Sequence, residues 1–182
     1  MNGIGRRTIL QGAAGLTLTP LLMQSANAAS SFVLPVHGDF GFLTGEWKIA
    51  NRQHQPDGSW KEFSGAATVH MVLGGLGSIE ELRIPATTYL GVGIRMFDVE
   101  KQLWADHWVS ATAGVVNLPM MGSFKAGIGT FIADDDDGKG LNKSRGIWDR
   151  ITRTSCRWYQ SATKDGGKTW DDNWYMDWTR VT

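Results

Sequence analysis

Turn signals recur along the chain every ten to fifteen residues, and that spacing limits what it can become. Pro56-Asp57-Gly58, Gly74-Gly75, Asp137-Gly138-Lys139-Gly140 and Asp165-Gly166-Gly167 are the clearest. Short stretches rich in aromatic and β-branched residues lie between them. None carries a sustained 3.6-residue period with caps. This pattern predicts an all-β sandwich or barrel. Strands are expected over 46–52, 60–73, 77–84, 91–98, 103–110, 128–133, 144–151, 156–163 and 172–180. A further strand or turn near 121–126 makes about ten. Phe40 to Leu43 reads as a short helix or turn that plugs one end.

Alternation separates the faces of single strands. Trp174, Met176, Trp178 and Arg180 share one face, and Asn173, Tyr175, Asp177 and Thr179 the other. Trp104, Asp106 and Trp108 oppose Ala105, His107 and Val109. Cys156, Trp158 and Gln160 oppose Arg157 and Tyr159. Both faces are amphipathic in several strands, so the sequence leaves open which one points inward. Mixed faces suit a closed barrel with a partly polar interior better than a sandwich with one dry core. The expected fold is therefore a single antiparallel up-and-down β-barrel of about ten strands, spanning 29–182.

Residues 1–28 read as a bacterial export signal. Arg6-Arg7 supply the positive segment and an apolar run from Ile9 to Met23 follows. Ala26-Asn27-Ala28 gives small residues at the cleavage positions. The run is too short and interrupted for a membrane span. Arg6-Arg7 with Thr8-Ile9-Leu10 resembles a twin-arginine leader, although a general secretory leader also fits. The expected location is the periplasm or the medium.

Basic and acidic residues both number 18, giving zero formal charge. Nothing in that balance supplies the basic face of a nucleic-acid binder. The single cysteine, Cys156, allows neither an internal disulfide nor a cysteine-based metal site. His37, His54, His70 and His107 lack the spacing of a zinc site, so no metal is expected. A lone histidine could be a haem ligand, as in nitrobindin-like barrels; otherwise no cofactor is expected. Four aspartates, Asp134 to Asp137, read as a solvated hairpin tip.

Nine tryptophans in so short a chain point to large rings inside a barrel or to an aromatic-lined pocket. Trp104, Trp108, Trp148, Trp158, Trp174 and Trp178, with Arg145 and Arg150 near in sequence, form the candidate wall of a small-molecule site. Glu81 and Arg95 come opposite each other if the 77–84/91–98 hairpin turns about Thr87-Thr88. Inside a barrel they would form a buried pair able to orient a carboxylate or carbonyl. Outside, they would be a surface ion pair.

Gly45-Glu46-Trp47, preceded by Phe42-Leu43, resembles the Gly-x-Trp opening of lipocalins and related calycin barrels. The resemblance implies an arginine packed over that tryptophan, and Arg180 is placed for it. Leu73-Gly74-Gly75-Leu76-Gly77, Arg95-Met96-Phe97-Asp98, Leu103-Trp104, Gly129-Thr130-Phe131, Ile147-Trp148 and Asp165-Gly166-Gly167-Lys168-Thr169-Trp170 with Asn173-Trp174 resemble the bacterial domain-of-unknown-function 1579 family. That resemblance implies a calycin-like barrel and brings no activity.

Three functional classes follow. The first is an exported barrel holding a small apolar or amphipathic molecule, with Arg95, Trp108, Arg145, Trp148, Trp158 and Trp174 as ligand-binding candidates. The second is a barrel-hosted isomerase, cyclase or hydrolase, with Glu81 or His107 as base and Arg95 or Arg145 as electrostatic stabiliser. The third is a ligand-free structural module. No nucleic acid or stable membrane insertion is expected as partner, and homo-oligomerisation stays open.

Overall fold

The computed structural model describes residues 39–135 and 139–182. The expected leader, His37, Asp136 and Asp137 lie outside those residues. Ten strands form: β1 (Gly45–His54), β2 (Trp60–Val72), β3 (Gly77–Ile84), β4 (Tyr89–Asp98), β5 (Leu103–Ser110), β6 (Met120–Lys125), β7 (Ile128–Asp134), β8 (Lys143–Asp149), β9 (Ser155–Thr163) and β10 (Asp171–Arg180). Each pairs antiparallel with its chain neighbours, and β1 pairs with β10 to close the barrel. Closure pairs every strand on both sides, the shortest ladder being the three residue pairs between β5 and β6.

The expected plug is present. A 3-10 turn at Gly41–Leu43 precedes β1, with Phe40 and Leu43 fully buried. The Trp47 indole donates to the Leu43 carbonyl at 2.7 Å. Arg180 clamps the plug. Its guanidinium lies 4.3 Å over the Trp47 ring and donates to the carbonyls of Phe42, Thr44 and Arg153. A planar cation with five donors suits this combination of stacking and multiple carbonyl bonds. We call this the lower end; the β1–β2, β3–β4, β5–β6, β7–β8 and β9–β10 connections lie at the upper end.

The lower half is a dry aromatic core. Phe40 meets Trp104 edge-on at 4.9 Å and Phe124 at 5.0 Å. Trp148 and Trp178 lie 5.4 Å apart. Offset and edge contacts of this kind match positive ring edges to negative ring faces. Room for such large rings comes from glycines on the inner wall. A β-carbon at Gly122 would lie 2.1 Å from the Thr130 carbonyl oxygen and 2.7 Å from the Phe131 α-carbon. Backbone atoms cannot give way there, so β6 and β7 approach closely only because position 122 carries no side chain.

Register decides which side chains meet inside. Pro85 cannot extend the β3 ladder, and Pro85–Thr87 forms a 3-10 turn ending at Thr88 with φ 51°. Ile84 therefore pairs with Tyr89, and Ser78 with Arg95. The Glu81–Arg95 pairing expected from a turn about Thr87-Thr88 does not form; Glu81 faces Val92. The difference is three residues. An odd shift moves one of the two residues to the other face of the sheet. Arg95 turns inward and Glu81 outward, leaving Glu80 as the inward acid of β3.

Candidate functional site

Arg95 is 3% exposed, and its charge is met by two carboxylates. Arg95 Nη2 donates to Glu80 Oε2 at 2.5 Å, and Arg95 Nε lies 3.4 Å from Asp106 Oδ1. The guanidinium also sits over the rings of Phe40 (5.1 Å) and Trp148 (5.4 Å). Three consecutive strands supply this cluster: Glu80 from β3, Arg95 from β4 and Asp106 from β5, the last two directly paired. Gly93, beside Arg95 on the inner wall, would bring a β-carbon 3.2 Å from Arg95 Nη2. The missing side chain leaves the guanidinium free to swing towards Glu80.

Burial alone would push the Arg95 pKa down, but Glu80 and Asp106 together hold it above the ordinary arginine value. Burial raises the Asp106 pKa; Arg95 opposes that rise and Glu80 adds to it. Burial likewise pushes the Cys156 thiol up to about 12, so it stays protonated and poorly nucleophilic.

Above this cluster the inner wall changes character. Phe63, Trp108, Trp158, Gln160 and Trp174 point inward but are only half-buried. An inward side chain of a barrel meets solvent through an open end or a short stretch of ladder, as between β5 and β6, which pair only over Trp104–Asp106. With the lower end plugged, these half-buried residues form the upper inner wall, which we call the cup. Two indoles lie flat against its wall. Trp108 covers Gly91, where a β-carbon would come within 2.1 Å of the ring, and Trp158 covers Gly146. Their N–H groups and amide neighbours are organised too. Trp108 Nε1 donates to the Tyr89 hydroxyl at 2.7 Å, and Trp174 Nε1 donates to Asn51 Oδ1 at 3.0 Å. Trp174 meets Trp158 edge-on at 5.9 Å.

Several buried donors have no protein partner: Arg95 Nη1, the indole N–H groups of Trp148 and Trp178, Ser78 Oγ and Asn51 Nδ2. Buried polar groups usually find a hydrogen bond, so this concentration along one lumen is uncommon.

The sequence candidates divide between lumen and exterior. Arg95, Trp108, Trp148, Trp158 and Trp174 come together inside. Arg145 is on the outer face of β8, 4.2 Å from the Trp170 ring and bonded to Ser161 Oγ at 3.2 Å. Glu81 is outside, 3.7 Å from Arg83. His107 is also outside, with Nδ1 3.0 Å from the Asn117 carbonyl. His54 and His70 occupy outward positions as well, so no described histidine is directed into the lumen as a haem ligand would be. Among the described residues no group of three His, Cys, Asp or Glu side chains could hold a metal ion. Glu80, Tyr89 and Asn51 belong to the lumen and were absent from the sequence candidates. Asp106 was placed with Trp104 and Trp108 by alternation, but its register against Arg95 was not evident.

The Asp165-Gly166-Gly167-Lys168-Thr169-Trp170 motif is a structural turn. Asp165 accepts from the Lys168 and Thr169 amides and the Thr163 and Thr169 hydroxyls, which holds its carboxyl well below the usual range. The turn carries Trp170 over Arg145. An open depression of about 480 Å³ lies beside it on the rim, lined by His54, Trp60, Trp170, Asp171, Asp172 and Asn173. A second, equally open, lies on the outer side of β1, β2 and β10, where Ala50, Arg52, Glu62, Ser64 and Asp177 line it with Asn51 and Phe63.

Fold and site together define a closed ten-stranded antiparallel barrel with a plugged base and an aromatic cup. Its architecture is similar to the crystal structure of Rv2717c from M. tuberculosis, with TM-score 0.51 and 12% sequence identity. The match covers 81% of this chain and 100% of that one. At that identity the likeness concerns the fold alone. No protein-family model matches the chain, and no curated protein matches it.

Proposed function

We propose that this is an exported binding protein that holds a small amphipathic molecule in the upper half of its barrel. The observation that carries this reading is the gradient along the lumen. Half-buried tryptophans form the wall, and a charged, donor-rich cluster forms the floor. Apolar walls with a few convergent polar groups are the usual composition of a small-molecule site. An export signal over residues 1–28, as the sequence reads, would deliver the protein to the periplasm or the medium, where such a carrier or sensor meets its ligand. Among the described residues no helix is long and apolar enough to cross a membrane.

One observation favours a second reading. Asp106 sits beside Arg95 with a pKa raised by burial. Such a carboxyl could move a proton on a bound molecule while Arg95 stabilises developing negative charge. An isomerase, cyclase or hydrolase would use the same cup.

Native mass spectrometry with an absorption spectrum, on protein exported and purified from its own host, tests the binding reading. A stoichiometric small mass that leaves on denaturation is expected. A bare chain that also takes up no ligand from a host lipid and metabolite extract would contradict it. A band in the visible range would identify a prosthetic group and displace the carrier reading.

A further inference from the structure

We propose that the cup selects a cationic amphiphile, an amine with an apolar tail, using Asp106 as its counter-ion. This deepens the binding reading above and rests on it. The argument begins with charge. Among the described residues, the charged inward side chains between the rim and the plug are Glu80, Arg95 and Asp106, which is one cation against two carboxylates. Arg95 is committed to Glu80 at 2.5 Å, and its 3.4 Å approach to Asp106 is looser. Accessibility points the same way. The side chains of Arg95 and Glu80 are 4% and 3% exposed, whereas that of Asp106 is 16% exposed. A molecule entering the cup therefore meets a carboxylate, with the arginine behind it.

The wall suits a cation as well. Trp108 shares the inner face of β5 with Asp106 and bonds to the Tyr89 hydroxyl, Trp158 and Trp174 face inward from β9 and β10, and aromatic faces attract cations, more strongly when desolvated. An ammonium would donate charge-assisted hydrogen bonds to Asp106 while its tail packs on the rings. A carboxylate head group would face two like charges before reaching a guanidinium whose Nη2 is already bonded to Glu80. The unpartnered donors of Asn51, Ser78, Arg95, Trp148 and Trp178 do not reverse this preference, because each of those residues is at most 3% exposed, against 16% for the Asp106 side chain. Trp148, Trp178 and Ser78 lie deepest, at 0–2% exposure.

Isothermal titration at neutral pH with n-octylamine, octanoate and 1-octanol tests the proposal. The three share one tail and differ in head-group charge. Octylammonium is expected to bind at least about tenfold tighter than octanoate, equivalent to about 1.4 kcal/mol. Asp106→Asn should abolish that preference, weakening the amine far more than the alcohol, and Asp106→Glu should retain it. Circular dichroism checks that both variants fold. Octanoate binding as tightly as the amine in the wild type would overturn the proposal without touching the binding reading. So would an amine preference that survives in a folded Asp106→Asn protein. Failure of all three molecules to bind would overturn the proposal and the binding reading together.

Discussion

Arg95→Met is expected to destabilise the barrel by about 3–5 kcal/mol near neutral pH, read from urea unfolding. Methionine keeps much of the side-chain volume, so a cavity is not the main cause. The loss comes from Glu80 and Asp106, which would share a low-dielectric lumen with no cation. Removing one member of a buried ionic group costs more than the group contributes as a whole. The triple change Arg95→Met, Glu80→Gln, Asp106→Asn should therefore recover much of the loss. The pH dependence has a definite sign. The Asp106 pKa is raised in the folded state, so folding favours its protonated form. Stability from that source is present at low pH and is lost as pH rises from the ordinary aspartate value through the raised one. Without Arg95 the rise is larger, so the variant's deficit should be smaller near pH 5 than near pH 8. An equal deficit at both would mean that uncompensated charge is not its origin.

Trp148→Ala should cost a similar amount, about 3–5 kcal/mol, for a different reason. Its indole N–H has no protein partner, so no hydrogen bond is lost. What is lost is packing. The ring is 1% exposed and touches Phe42 at 5.8 Å and Trp178 at 5.4 Å. It also forms one side of the Arg95 guanidinium's surroundings. Trp148→Phe should retain most of the stability because the cavity is smaller. If the alanine variant unfolded at the wild-type urea midpoint, the lower half would not be the close-packed core described above.

Much of this fold is legible in the sequence because a strand's two-residue period survives any error in its ends. Trp104, Asp106 and Trp108 share a face as expected, as do Cys156, Trp158 and Gln160. Opposite parity also separates Arg145 from Trp148; grouping them by proximity in sequence placed an outer residue with inner ones. Two features were not legible. The β3–β4 register depends on how Pro85 and Thr88 shape a four-residue connection, and no alternation within either strand reports it. That hid Glu80 behind Glu81. A bulge between Asp172 and Trp174 likewise breaks parity within β10. Asp172 turns outward to accept from Ser161 and Tyr175, although it lies two residues from the inward Trp174. The polar floor of the lumen is set by pairings between strands, whereas the aromatic wall is written within them.

The open, aromatic upper lumen is tested most directly by titrating the purified protein with N-phenyl-1-naphthylamine, a neutral probe that fluoresces in apolar surroundings. Saturable uptake of one probe per chain is expected, with energy transfer from tryptophan and an affinity reduced by Trp174→Ala. Absence of saturable uptake by folded protein, or uptake unaffected by that substitution, would contradict a binding cup at the upper end of the barrel.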